Sequence, residues 1–167
     1  PITERKQEIV INKLKPYKEK IEELINNKTP FLFTGNAVEV LGKYIENEDG
    51  TNIEGLGIFE VYAKRNMLQR FNCLYLGKYE DIEILGFKSQ FTMLYGDNSK
   101  NYFADTEMGI GINNTTKLEG IKENNFFGTY VIGPLLILNP LFTEILLKIM
   151  GIEEPKIAFR EDVLAAY

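Results

Sequence analysis

Histidine is absent from all 167 residues, and that absence excludes more chemistry than any other feature of the chain. Histidine is the usual base beside a serine or cysteine nucleophile and the commonest metal ligand, so a triad built on it is ruled out. A single cysteine, Cys73, excludes an internal disulfide. No apolar run reaches the roughly 18 residues that a membrane span requires. Lys and Arg number 19 against 24 Asp and Glu, for a net charge of -5. The chain therefore offers no broad positive field to phosphate backbones, which argues against a nucleic-acid partner. A cytoplasmic protein is the expectation. The chain starts at Pro1, without an initiator methionine or a signal-peptide pattern, as a trimmed or partial chain does.

What is present is a hydrophobic fraction of 44%, enough for one domain over residues 1–167 with a real core. Ile9, Val10 and Leu14 predict a first amphipathic helix capped by Thr3. Pro16 then opens a second, with Tyr17, Ile21, Leu24 and Ile25 on one face. Phe31 to Thr34 is apolar without alternation, as in a parallel strand covered on both sides. Gly35 follows at a corner, and Ala37, Val38, Val40, Leu41, Tyr44 and Ile45 predict a helix after it. This strand, corner and helix is the arrangement that presents a nucleophile in many hydrolytic folds, with helix amides aimed at developing negative charge.

Further on, the stretches 57–62, 71–76 and 82–87 predict an antiparallel meander. Cys73 falls inside it, where a small buried hydrophobe outweighs a reactive thiol. Gly109-Ile-Gly111 lacks the third glycine, the lysine and the Ser/Thr of nucleotide-binding loops, so close packing explains it better than phosphate binding. No cofactor and no metal site are expected. Phe126 to Ile132 predicts another buried strand. Asn139 as cap, Pro140 in the first turn and Gly151 at the end bracket a strong helix. A last helix is expected from Glu161 to Tyr167.

The ordered set Gly35-Asn36 to Gly42, Gln69-Arg70, Gly86-Phe87, Gly109-Ile-Gly111, Glu119-Gly120 and Gly128-Thr-Tyr-Val-Ile-Gly-Pro134 resembles class I glutamine amidotransferases of the cobyric acid synthase-like branch. The resemblance runs from about Glu4 to Gly151. It implies an α/β, three-layer, flavodoxin-like sheet with an antiparallel β extension, whose first strands precede Pro1 and leave an apolar edge in need of cover. The activity it implies is removal of the glutamine side-chain amide through a cysteine thioester, with ammonia passed to an ATP-dependent ligase. Such chemistry requires a thiolate, a base and an oxyanion hole.

The same resemblance places the family cysteine at Gly35 and the family histidine at Ile132. Lys88, Gln90 and Thr92 stand where the family has Glu, His and Gly. Arg70 matches an arginine that contacts substrate glutamine, and with Asn36 and Gly35 it forms the expected ligand-binding set. Thr34, Glu39, Lys88 and Glu144 are poor substitutes for the missing groups. The leading expectation is a catalytically degenerate subunit that binds or regulates an ATP-dependent, Mur-ligase-like amide-forming enzyme, of cell-wall or cobalamin type. Two alternatives stand beside it. One is an active amidotransferase whose thiol is Cys73 or comes from a partner. The other is a sensor of glutamine or a related amino acid in the pocket at the corner.

Overall fold

The computed structural model describes residues 3–167. In chain order the elements are α1 (Glu4–Leu14), a 3-10 turn at Lys15–Tyr17, α2 (Lys18–Asn26), β1 (Phe31–Thr34), a 3-10 helix (Gly35–Leu41), β2 (Tyr44–Glu46), β3 (Asn52–Glu54) and β4 (Tyr62–Arg65). There follow β5 (Phe71–Tyr79), β6 (Ile82–Gln90), β7 (Thr92–Tyr95), β8 (Ala104–Met108), β9 (Leu118–Glu119), β10 (Ile121–Glu123), β11 (Phe126–Thr129), α3 (Leu135–Leu138), α4 (Pro140–Ile149) and α5 (Arg160–Ala166). The architecture is mixed α/β, as expected.

Three sheets organise it: β1-β11-β10, β3-β2-β4-β7 and β6-β5-β8-β9. Strands β1 and β11 run parallel with Thr34 opposite Thr129. Side chains on both faces of β1 pack on apolar cores, though the strand lies at the sheet edge and all four of its residues stay half-buried. Phe31 and Phe33 pack on a core shared with Ile11 of α1, Ile25 of α2 and Leu94 of β7. Leu32 packs on the opposite side with Phe142 and Leu146 of α4 and with Tyr75 and Ile84 of the β5–β6 hairpin. Neighbouring Phe126 and Phe127 divide between the same two cores.

The expected helix from Ala37 to Ile45 stops at Leu41. A side chain on Gly42 would meet the Val61 carbonyl at 2.7 Å, and this close approach turns the chain outward. Tyr44 and Ile45 then form β2, antiparallel to β3 and parallel to β4. The expected meander is real only as the β5–β6 hairpin, which pairs from Phe71–Gln90 to Tyr79–Ile82. Its supposed first strand is irregular until Tyr62, which belongs to another sheet and stacks between Tyr44 and Tyr95 with ring centroids 4.9 and 5.7 Å apart. Asn139 precedes α4 but does not cap it. Its amide instead clips β6, accepting from Leu85 N–H at 2.7 Å and donating to Leu85 C=O at 2.8 Å and Leu135 C=O at 2.7 Å.

Candidate functional site

The parallel register sends the chain out of β1 and β11 at the same carboxyl end, where α/β folds place their sites. Out of β1 comes Gly35, at φ +61°, a conformation that a side chain disfavours. Out of β11 come Tyr130 to Gly133. The backbone of Ile132 pairs with Phe87, its N–H donating to the Phe87 carbonyl at 2.9 Å and its carbonyl accepting from Phe87 N–H at 3.2 Å. Gly133, at φ +67°, lies so close to the Phe87 ring that no Cβ fits between them.

Behind the corner lies a polar network withdrawn from water. Glu39, fully buried, accepts from Gln7 Nε2 at 2.7 Å and from the Tyr130 hydroxyl at 2.9 Å. Burial pushes its carboxyl up to about 7, against the partial relief of those two bonds and of Arg65 nearby. Gln7 also donates to the Asn36 carbonyl at 2.9 Å and accepts from Arg65. Glu119 accepts from the Thr129 hydroxyl and from Tyr130 N–H, both at 2.8 Å. Its other oxygen pairs with Lys88, which also donates to the carbonyls of Ile110 at 2.8 Å and Gly111 at 2.7 Å. Lys88 is therefore sealed and neutralised rather than poised as a base. Glu39 is committed to Gln7 and Tyr130, and Glu144 of α4 is paired with Arg160 of α5. Cys73 is half-buried in β5, its sulfur 3.3 Å from where a side chain on Gly109 would begin.

The expected ligand set divides. Asn36 is held at the corner, where its side chain donates to Glu4 at 3.4 Å. Arg70 lies instead in a cleft of about 310 Å³ beside Lys64, Gln69, Gln90, Phe91 and Thr92, and neither Gly35 nor Asn36 lines that cleft. Gln7, and the polar roles of Tyr130 and Asn139, are not foreseen by the sequence reading. Only Gln7 carried a usable signal, a polar residue at the spacing of Ile11 and Leu14 on the inner face of α1. Among the described residues, no group of three or more His, Cys, Asp or Glu is arranged to hold a metal ion, and no helix is long and apolar enough to cross a membrane.

A glycine-tipped strand-to-helix corner at the carboxyl ends of parallel strands, with a polar network behind it, is the frame of an α/β amidotransferase-type domain. The chain belongs to the CobB/CobQ-like glutamine amidotransferase family, whose domain it matches over residues 3–138. It is similar to the lipid II isoglutaminyl synthase (glutamine-hydrolyzing) subunit GatD of Staphylococcus aureus (strain N315), 30% identical over 146 residues that cover 87% of this chain and 59% of that one. It is also similar to the GatD subunit of Streptococcus pneumoniae (strain ATCC BAA-255 / R6), 28% identical over 166 residues that cover 95% of this chain and 64% of that one. The chain thus spans about three fifths of the length of these relatives.

Proposed function

We propose that this chain is a catalytically degenerate glutamine amidotransferase-like subunit, which binds or regulates an ATP-dependent, Mur-ligase-like amide-forming enzyme. One observation supports the reading: the chain contains no histidine, and the resemblance sets Gly35 at the family nucleophile and Ile132 at the family base. Neither glycine nor isoleucine can form a thioester or take a proton. The charged side chains Glu39 and Lys88 are engaged by buried partners, so neither is free to substitute. Likeness to two subunits named for lipid II isoglutaminyl synthase favours a cell-wall ligase over a cobalamin one as partner.

Ammonia release from glutamine, measured with and without the candidate ligase, tests the proposal. No release above buffer is expected, together with co-purification of the two proteins. Clear turnover that disappears in Arg70→Ala overturns it.

A further inference from the structure

We propose that α5 is an exchangeable element: the seat it occupies on β6 and α3 accepts α5 of a second copy of this chain, so that two copies associate by trading these helices.

The helix is lightly held. It contributes no buried residue. Two polar links fasten it, the ion pair of Arg160 with Glu144 of α4 and the Tyr167 hydroxyl donating to the Glu83 carbonyl of β6. Leu85, Ile137 and Leu138 form an apolar seat, which faces Val163, Ala166 and Tyr167 across a space of about 310 Å³. Ile137 stays 69% exposed beside it. Segments with few buried apolar contacts are the ones that open at little cost.

The link back to α4 favours the open form. No helix or strand lies between Ile149 and Arg160, and none of the backbone–backbone hydrogen bonds among the described residues comes from an N–H of residues 153–159. To reach the seat in its own chain the backbone turns at Phe159, with φ +55° and ψ 35°, a left-handed conformation that a residue with a side chain adopts only against strain. Straightening the link releases that strain. Pro155 acts in the same sense, because its fixed φ and its clash with the preceding residue hold Glu154 extended. Extended, residues 150–159 reach at most about 35 Å, which is long enough to carry α5 to a neighbouring copy.

A second copy is the occupant because it reproduces each contact of the seat. Glu144, whose side chain is only 15% exposed, again receives Arg160, and the apolar seat again receives Val163 and Ala166. The closed and exchanged forms then differ only at the link and in what the links touch. Met150, Ile152 and Phe159 flank or lie on the link with 65%, 44% and 79% exposure, apolar surface that two copies bury against each other. Loss of freedom on association opposes this, so exchange belongs to high protein concentration.

This inference stands on α5 and holds whether or not the corner is catalytic; ammonia release does not report on it. The whole chain, held at about 1 mM just below its melting temperature and cooled, is expected to show a dimer by sedimentation velocity. In a Cys73→Ser background, Leu138→Cys and Val163→Cys place thiols on opposite sides of the seat. A short bismaleimide should join them within one chain in the monomer and between two chains in the dimer, where a denaturing gel shows a covalent pair. Phe159→Gly removes the backbone strain of the closed form and should weaken the dimer about tenfold, with a melting temperature unchanged or higher. Deletion of residues 153–156 leaves the link too short to fold back and should strengthen the dimer at least about tenfold. A folded chain that stays monomeric at about 1 mM, its seat left to its own α5 or to a foreign helix, overturns the proposal. So does a dimer whose bismaleimide products all lie within one chain, which is side-by-side association, or a dimer equally strong in Phe159→Gly.

Discussion

Tyr130 donates its phenol to Glu39 across 2.9 Å, and both side chains are buried almost completely. The backbone N–H of the same tyrosine donates to Glu119. One residue of the segment leaving β11 thus ties together two carboxylates that water does not reach, and the corner rests on that tie.

The Glu39 carboxyl makes stability depend on pH. Its folded value is about 7 against an ordinary 4.5, so between those values the folded chain holds a proton that the unfolded chain has released. The contribution is fully present below pH 4.5 and is lost as pH rises through about 7. At about 1.4 kcal/mol per unit the loss is on the order of 3 kcal/mol. Urea unfolding measured across this range should show the decline, and Glu39→Gln should flatten it.

The Lys88–Glu119 pair should behave as a unit. Lys88→Met leaves a buried carboxylate without its counter-charge and should cost about 3–5 kcal/mol. Glu119→Gln added to it removes the charge while keeping an acceptor for Thr129 and Tyr130, so the double variant should be more stable than Lys88→Met alone. Chemical denaturation of the four proteins in a double-mutant cycle gives the coupling directly.

Asn139→Ala removes three bonds, two to Leu85 of β6 and one to the Leu135 carbonyl of α3. At about 1 kcal/mol each, the expected loss is about 3 kcal/mol, with Leu85 N–H left in need of a partner. Thermal unfolding followed by circular dichroism is sufficient to check it.

Gly133→Ala should cost about 1–2 kcal/mol through its left-handed backbone alone, and more because the Phe87 ring fills the space. Removing the ring in Gly133→Ala/Phe87→Ala should relieve the crowding and leave the backbone term. Differential scanning calorimetry separates the two contributions.

The elements with strong local signals were legible in sequence. Phe31–Thr34 is a parallel strand, half-buried at the sheet edge, Pro140 opens α4, and the β5–β6 hairpin lies where its β-branched and aromatic residues put it. Tyr44 and Ile45 were misread because their spacing fits a helix while their fate is decided by Gly42 against Val61, a contact 19 residues away in sequence that no local pattern encodes. Asn139 looks like a helix cap in sequence, and tertiary partners claim its amide instead. The corner was legible through its motif, whereas the separation of Arg70 from Asn36 depends on how β4 and β7 meet the hairpin, which periodicity does not specify.

The Gln7 side chain is wholly buried although it sits in the first turns of α1, and helix ends ordinarily fray. Because it bonds to Asn36, Glu39 and Arg65 together, α1 cannot lift away without breaking bonds at the corner and in β4. Opening of the first helix is therefore coupled to opening of the interior. Amide hydrogens of its inner turns should exchange with solvent at the rate of global unfolding, as part of one cooperative unit rather than as a loose end.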